Sequence, residues 1–226
     1  RILAGGVHSA KQQVVRIDRG VGDPIDAAGR AAFGLRALRA CAGVDAVLVS
    51  DYGSGLVTPR LVAEIRAQLK RQRASTPLLV DTRHRLLQYR GLTACTPNES
   101  EVEQALGVRI DDDPRILERA GRAVLDTTRN RAVLITRGGR GMALFEPRKP
   151  TVHIPIFGSD EIADVTGAGD TVMATMTLAL AAGADFETAA RLANYAGGLV
   201  VMKRGTATVS ARELRGAVLA DMGRRG

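Results

Sequence analysis

Short runs of apolar residues alternate along the chain with stretches in which apolar residues recur every three or four positions. The runs VDAVLVSD (44–51), PLLVD (77–81) and LTACTP (92–97) are apolar almost throughout. Such runs are typical of strands buried on both faces, and the stretches between them are typical of amphipathic helices. The alternation therefore predicts an α/β domain whose central sheet is mostly parallel and is covered by helices on both sides.

Capping residues mark several predicted helix starts. Thr58-Pro59 and Asp113-Pro114 each combine an N-cap side chain with proline at the first helical position, and Asn98 precedes the helical stretch ESEVEQAL. RAVLITRGGRG predicts a strand followed by a glycine turn, and MALFEP with TVHIPIF predicts a pair of hairpin strands. Further helices are predicted at 25–42, 171–183, 187–203 and from Ser210 onward.

Residues 1–20 form a separate part of the pattern. VVRID alternates apolar and polar residues, and Gly20, Gly22 and Pro24 follow it, which predicts an extended arm or edge strand that ends in a turn. The chain begins with Arg1, and its first residues already have the pattern of a strand. We therefore expect a small β appendage ahead of the α/β domain, and further strands upstream in a longer protein.

Composition excludes several classes of protein. With 226 residues, 45% hydrophobic and 25% charged, the chain is close to the globular average and long enough for one large domain. No apolar stretch reaches the roughly 18 residues of a membrane span, and no signal peptide is recognisable. Cys41 and Cys95 lie in apolar surroundings without CxxC spacing, which disfavours a disulfide scaffold or a zinc site and predicts a cytoplasmic protein.

The net charge of +8 comes mostly from arginine. These arginines are scattered over predicted solvated helix faces, and aromatic residues make up only 3% of the chain, with no tryptophan. Stacking surfaces for single-stranded nucleic acid are therefore scarce, and we expect no nucleic-acid partner. A phosphorylated small-molecule substrate suits a basic protein equally well.

The stretch Asp164-Val-Thr-Gly-Ala-Gly-Asp170 carries the most chemical information. Gly167 and Gly169 permit a tight turn that leaves backbone N–H groups uncovered at the start of a predicted helix. N–H groups at a helix N-terminus attract anions, so the amides of 167–169 can hold a transferring phosphoryl group. The Asp170 carboxylate can take the proton of an attacking hydroxyl. The alternative is a glycine-capped loop in which Asp170 only caps the helix.

Polar residues and glycine also follow the predicted strands. Asp51, Asp81, Asn98 and Gly138 each lie just beyond the carboxyl end of a strand, where ligands bind in parallel sheets. The spacing of Asn98 and Glu101 suits a ligand site, but it is also the spacing of a capping box. The TRGGRG stretch, taken alone, is typical of a hairpin turn.

The motif DVTGAGD, late in the chain before a long apolar helix, resembles the second signature of the ribokinase-like (PfkB) sugar kinases. NESE at 98–101 and TRGGRG at 136–141 are similar to further motifs of that family, in the same order along the chain. The resemblance implies a ribokinase-like three-layer α/β/α sandwich. It also implies ATP and Mg²⁺ as cofactors, with K⁺ in some members.

The same resemblance assigns roles to individual residues. Asp170 would be the base, and the anion hole would consist of Gly167, Ala168 and Gly169. Glu101 would act on Mg²⁺ through water, and Asp164 with Thr166 matches part of a monovalent-cation site. Arg83, two positions after Asp81, stands where related kinases have lysine, and its guanidinium can bind a phosphate bidentately. ATP and its phosphates would be bound by Asn98, Glu99, Ser100, Glu101, Thr136, Gly138, Gly141, Asn194, Gly197 and Arg83.

Within the family, the amino-acid sequence is most similar to the heptose 7-phosphate kinases of lipopolysaccharide precursor synthesis. The similarity lies in ILAGGVHSAKQQVVRID, SDYGSGLVTP, LLVDTRHRLLQYRG, TPNESEVEQALG and KRGTATVS. It implies transfer of the ATP γ-phosphoryl group to C1 of D-glycero-D-manno-heptose 7-phosphate, on the path to ADP-heptose. It also implies a homodimer formed through a lid and, in some relatives, fusion to a nucleotidyltransferase domain.

The resemblance divides the chain into a lid remnant at 1–20 and a nucleotide-binding and catalytic core at 21–226. The early glycine signature and most sugar-binding residues of the family would precede Arg1. Two alternatives stay open: a different sugar or nucleoside kinase of the same fold, and a nucleotide-binding fragment without catalysis. Nucleic-acid binding has only the net charge in its favour.

Overall fold

The computed structural model describes residues 2–4, 12–15, 17, 25–72, 75–158, 165–203 and 205–225. The strands are β1 (Ile2–Ala4), β2 (Gln12–Val15), β3 (Val47–Asp51), β4 (Leu78–Thr82), β5 (Ala94–Cys95), β6 (Ala132–Thr136), β7 (Met142–Phe145) and β8 (Val152–Ile154). The α-helices are α1 (Ala27–Ala40), α2 (Pro59–Gln72), α3 (Glu99–Leu106), α4 (Pro114–Thr128), α5 (Ala168–Ala181), α6 (Phe186–Val201) and α7 (Ala211–Arg225). Short 3-10 helices lie at Leu86–Gln88 and Gly138–Arg140.

The central sheet has six strands whose spatial order, β3-β4-β5-β6-β7-β8, is also their order in the chain. The pairs from β3 to β6 are parallel, with Val47 opposite Leu78 and Val80 opposite Cys95. The last two pairs, β6–β7 and β7–β8, are antiparallel. The predicted mostly parallel sheet and the predicted hairpin pair are therefore both confirmed.

Hydrophobic clusters lie on both faces of the sheet, because successive strand side chains point to opposite sides. On one face, Val80, Val133 and Phe145 pack with α2, α3 and α4. On the other, Leu79 and Leu134 pack with α5 and α6. Burial of a side chain of this size contributes about 1.5–3 kcal/mol, so each face holds its own layer of helices. The result is the predicted three-layer α/β/α sandwich.

All three predicted N-caps form, since the Thr58 hydroxyl also accepts from the N–H group of Leu61 at 3.2 Å, while caps at Asp26 and Asp185 were not anticipated. The Asp113 carboxylate accepts hydrogen bonds from the N–H groups at 115 and 116, with Pro114 at the first helical position of α4. Asn98 caps α3. Asp185 caps α6 through the N–H group of Thr188. Helix α5 begins at Ala168, so Asp170 lies in its first turn, as predicted.

The strands β1 and β2 pair antiparallel in a small sheet of their own, separate from the central one. This agrees with the extended arm predicted for residues 1–20, while the division of the chain at residue 20 stays a prediction. Val14 and Ile17 are both exposed. Among the described strands, only β4 pairs with β3, and Leu48 of β3 is 41% exposed.

Both cysteines are free and buried. Cys41 is the residue at which α1 ends, and no residue of α1 is fully buried. Cys95 lies in β5, near the middle of the sheet, with the Asn130 side chain beside it. Burial raises the pKa of the Cys41 thiol and raises that of Cys95 to about 12.

Among the described helices, none has the length and apolar character needed to cross a membrane.

Candidate active site

Four parallel strands end at one edge of the sheet, and the loops that follow them carry the candidate residues. Asn98, after β5, forms a parallel bridge with Thr136 at the end of β6. The N–H group of Thr136 donates to the carbonyl oxygen of Pro97 at 3.0 Å. The N–H group of Arg83, after β4, donates to the carbonyl oxygen of Asp51 at 3.3 Å. These bonds hold the loop starts together at the edge where ligands bind in such sheets.

Asp51 supports this edge from inside. Its carboxylate is buried and accepts hydrogen bonds from the Gly53 N–H group at 2.9 Å, the Thr82 hydroxyl at 3.2 Å and the Tyr89 hydroxyl at 2.6 Å. A buried carboxylate is tolerated when donors satisfy it in this way. Burial, together with the hydrogen bond to Asp51, raises the pKa of Tyr89. Asp51 therefore orders the loop after β3.

The next residue, Tyr52, reaches across to the predicted base. Its hydroxyl donates to Oδ1 of Asp170 at 3.0 Å. The Arg83 guanidinium lies over the Tyr52 ring, 4.9 Å from the ring centroid. Loops after β3 and β4 are thereby brought to the first turn of α5. Sequence reasoning missed Tyr52, although its position directly after a strand-end aspartate was a usable signal.

The glycine backbone before α5 is open. Gly167 has a φ of +79°, which suits glycine, and a Cβ built on Gly167 or Gly169 would meet nothing within 4 Å. Within the described part of the chain, no acceptor takes a hydrogen bond from the N–H groups of Gly169 and Asp170. The N–H group of Ala168 donates to the carbonyl oxygen of Val165 at 3.3 Å. The described acceptors therefore leave the amides of Gly169 and Asp170 available to an anion.

The charges of two carboxylates, Glu101 and Asp170, act on a third, Asp81, at this edge. The pKa of Asp81 is raised to about 6, first by burial and then by the charges of Glu101 and Asp170, while Arg83 opposes the shift. The pKa of Glu101 is also raised, mainly by burial. No three His, Cys, Asp or Glu side chains among the described residues form a complete metal-ligand set. Two carboxylates suit Mg²⁺, which keeps part of its water shell and takes oxygen ligands.

Asn98 and Glu101 form a capping box. The Asn98 side chain accepts from the Glu101 N–H group, and the Glu101 carboxylate accepts from the Asn98 N–H group, both at 2.9 Å. The predicted capping box is therefore present in the structure, and the Glu101 charge still acts on Asp81. Glu99 is buried and pairs with Arg137 at 3.4 Å and with Arg140. Its neighbour Ser100 is exposed.

The two predicted nucleotide-side glycines of the β6–β7 turn have different surroundings. Gly138 has a φ of +56°, and a Cβ there would meet nothing within 4 Å. Gly141 has a φ of +78°, and a Cβ there would lie 2.1 Å from the carbonyl oxygen of Ile154. Gly141 is therefore required by close packing of backbone on backbone, while Gly138 leaves its backbone open at the surface.

Two of the predicted ATP-binding residues, Asn194 and Gly197, lie in α6 and are engaged in packing. Asn194 is buried, and its side-chain amide donates to the carbonyl oxygen of Pro155 at 2.9 Å. A Cβ on Gly197 would lie 2.9 Å from a methyl group of Val172 in α5. Of the predicted cation ligands, Thr166 lies just before α5, and Asp164 falls outside the described residues.

A cavity of about 290 Å³ opens between the loop after β4 and helix α3. Its lining includes Arg83, His84, Arg85, Glu101 and Gln104. Three consecutive basic side chains thus border the space next to the carboxylates. The edge as a whole combines a carboxylate base candidate, open amides, the Asp81 and Glu101 carboxylates and an arginine. This is the equipment for transfer of a phosphoryl group.

Comparison with known proteins defines the class. The pfkB family of carbohydrate kinases matches residues 27–213, and the chain belongs to that family. The class is that of phosphotransferases with an alcohol group as acceptor. Curated relatives include the bifunctional protein HldE of Geobacter metallireducens, 42% identical over 213 residues. That match covers 94% of this chain and 43% of the relative, so the chain spans less than half the length of the relative.

Solved structures confirm the fold. The phosphofructokinase-2 of Escherichia coli in complex with potassium superposes with a TM-score of 0.74 at 16% identity, covering 87% of this chain and 63% of that one. The ribokinase of Arabidopsis thaliana, complexed with ribose and ATP, superposes with a TM-score of 0.69 at 20% identity, covering 81% and 58%. Identities this low show the ribokinase-like fold alone.

Proposed function

We propose that this chain transfers the γ-phosphoryl group of ATP to a sugar hydroxyl, specifically to C1 of D-glycero-D-manno-heptose 7-phosphate, giving the 1,7-bisphosphate. The observation that carries the proposal is the position of Asp170 in the first turn of α5, beside the open backbone of Gly167 and Gly169. Family membership supports a carbohydrate acceptor. The similarity to proteins named HldE, and the motifs that resemble heptose 7-phosphate kinases, support the heptose.

The reaction follows from the placement of the side chains. Asp170 accepts the proton of the acceptor hydroxyl while the hydroxyl oxygen forms its bond to the γ-phosphorus. The bond from the γ-phosphorus to the bridging oxygen breaks, and ADP leaves with that electron pair. Ala168 of the predicted anion hole already donates to Val165, so we assign the N–H groups of Gly169 and Asp170 as the donors to the phosphoryl oxygens, where negative charge gathers. Arg83 binds a phosphate oxygen and fixes its direction.

Asp81 and Glu101 are the residues that would hold Mg²⁺, Glu101 through water. They fit the ion because both supply carboxylate oxygens, and a bound cation would offset the effect of the Glu101 charge on Asp81. When bound, Mg²⁺ neutralises charge on the β- and γ-phosphates. Thr166 and Asp164 are the proposed ligands of K⁺.

We also propose a location, an oligomeric state and a further domain for the enzyme. A kinase that uses ATP and a sugar phosphate belongs in the cytoplasm. The exposed apolar residues Val14 and Ile17 support a homodimer formed through the lid. Relatives named bifunctional, of which this chain spans less than half, support a nucleotidyltransferase domain in the full-length protein.

The test is substitution of the base. In the full-length protein, D170N is expected to lower kcat by about 10²–10⁴-fold, the usual contribution of a general base. The Kd for MgATP should change little, because the open amides remain. Coupled ADP release with heptose 7-phosphate measures turnover, and calorimetry measures ATP binding. D126N, an exposed aspartate of α4, is the matched control. Activity of D170N within about tenfold of wild type would remove Asp170 from this role.

A panel of acceptors separates the heptose from its rivals. Ribose, fructose 6-phosphate, adenosine and heptose 7-phosphate are compared by kcat/KM. Preference for heptose 7-phosphate supports the specific proposal, and preference for another member identifies a different kinase of the same family. ATP binding without turnover on any acceptor would favour a non-catalytic nucleotide-binding role.

A further inference from the structure

Tyr52 makes two contacts that the proposed reaction does not yet use. Its hydroxyl donates to Oδ1 of Asp170 at 3.0 Å, and its ring carries the Arg83 guanidinium at 4.9 Å from the centroid. The side chain is 55% exposed, so it does not contribute to the core. The three residues come from two loops and a helix. Tyr52 therefore connects the loops after β3 and β4 to the first turn of α5.

A hydrogen bond holds the turn that carries Tyr52. The Asp51 carboxylate before it is buried and accepts from the Gly53 N–H group after it, at 2.9 Å. Gly53 has a φ of +82°, and a Cβ there would lie 2.9 Å from the His84 ring. The backbone after Tyr52 is thus held by the hydrogen bond to Asp51 and lies close to the loop after β4. A phenol on such a backbone has only two side-chain torsions to restrict.

We propose that Tyr52 is a positioning residue for the base: its hydroxyl holds Oδ1 of Asp170 so that Oδ2 faces the acceptor hydroxyl. This inference rests on the proposed function. Asp170 is exposed in the first turn of α5, where its carboxylate would otherwise rotate. No described residue donates a hydrogen bond to Oδ2. One oxygen is therefore anchored and the other is available for the proton.

Arg83 strengthens this arrangement. A cation over the face of a phenol is attracted to the ring and draws electron density from it, which makes the hydroxyl a better donor. Arg83 is also the residue proposed to bind a phosphate. The same guanidinium therefore connects the phosphate side of the site to the base. Orientation of the reacting groups is a large part of phosphoryl-transfer catalysis, so this connection has a measurable effect on turnover.

The experiment is a double-mutant cycle on Tyr52 and Asp170 in the full-length protein, with Y52F, D170N and the combined variant. Y52F is expected to lower kcat by about 10- to 100-fold, the range for loss of a hydrogen bond to a charged group. KM for MgATP should stay within about twofold. In the D170N background, Y52F should cause no further loss, because Tyr52 acts through Asp170.

Y195F is the matched control. It removes another tyrosine-to-aspartate hydrogen bond, 2.5 Å from the Tyr195 hydroxyl to Asp221, between α6 and α7. It should leave kcat unchanged.

Three outcomes would overturn the inference. One is an equal loss from Y52F in both backgrounds, which indicates action on substrate or fold instead of through Asp170. Another is a rise of kcat in Y52F, which indicates that the tyrosine blocks the base. The third uses no turnover: a crystal structure of Y52F in which Asp170 keeps a single unchanged rotamer. If D170N retains activity, the proposed function fails instead, so the two failures are distinguishable.

Discussion

Gly141 and Gly138 lie in one turn, and alanine at the two positions should have very different effects on stability. Both have positive φ, +78° and +56°. Alanine in left-handed backbone costs about 1–2 kcal/mol, and it costs at least as much at Gly141, whose ψ of −133° lies outside the left-handed helical region. At Gly138 nothing lies within 4 Å of the added Cβ, so G138A has that cost alone.

At Gly141 the added Cβ would also meet three backbone atoms: the Ile154 carbonyl oxygen at 2.1 Å, the Ile156 nitrogen at 2.8 Å and the Pro155 carbonyl carbon at 2.9 Å. The backbone at the end of β8 cannot rotate away as a side-chain tip can. Overpacking of this kind costs about 1–3 kcal/mol more. The total for G141A is therefore about 2–5 kcal/mol, against about 1–2 kcal/mol for G138A.

Thermal unfolding followed by circular dichroism measures the difference. For a domain of this size, 1 kcal/mol lowers Tm by about 2–4 °C, so G141A should lose roughly 4–20 °C and G138A about 2–8 °C. Calorimetric titration with MgATP adds a second readout, in which G138A should bind more weakly if the nucleotide approaches that open backbone. Equal losses of Tm in the two variants would refute the packing argument.

Two further predictions concern the buried and half-buried acids. Y89F removes a donor from the buried Asp51 carboxylate and should lower the free energy of unfolding by about 1–3 kcal/mol in urea titrations; a loss no larger than that of Y195F would contradict this. For Asp81, the raised pKa means that the folded chain binds more protons than the unfolded chain between pH 3.8 and about 6, so its contribution to stability is present below that window and is lost as pH rises through it. Tm of D81N should therefore fall less than that of wild type between pH 4 and 6.5, and parallel profiles would count against the raised pKa.

Local signals account for what the sequence predicted correctly. Asn98 and Asp113 cap helices because their side chains reach N–H groups two or three residues away, which spacing alone reveals. The apolar runs at 77–81 and 92–97 became buried parallel strands because a doubly covered sheet needs apolar side chains on both faces. The position of Asp170 follows in the same way from the glycine turn that starts α5.

The contacts that sequence reasoning missed join distant parts of the chain. The Tyr52–Asp170 hydrogen bond spans 118 residues, and the pairing of Glu99 with Arg140 spans 41. Spacing along the chain carries no information about such pairs, because the sheet order decides which loops meet. For the same reason the sequence could not distinguish Gly141, which is needed for packing, from Gly138, whose backbone is open.

The two buried thiols have a consequence for how opening of the fold can be followed. A thiol reacts as thiolate, and burial leaves very little thiolate on Cys95, whose pKa is about 12. Labelling of Cys95, in the middle of the sheet, therefore reports separation of the strands. Cys41 ends a helix that buries no residue completely, so its labelling reports release of α1 alone. The labelling rates of the two native cysteines therefore report two different events: Cys41 reports detachment of a single helix, and Cys95 reports loss of the whole sheet.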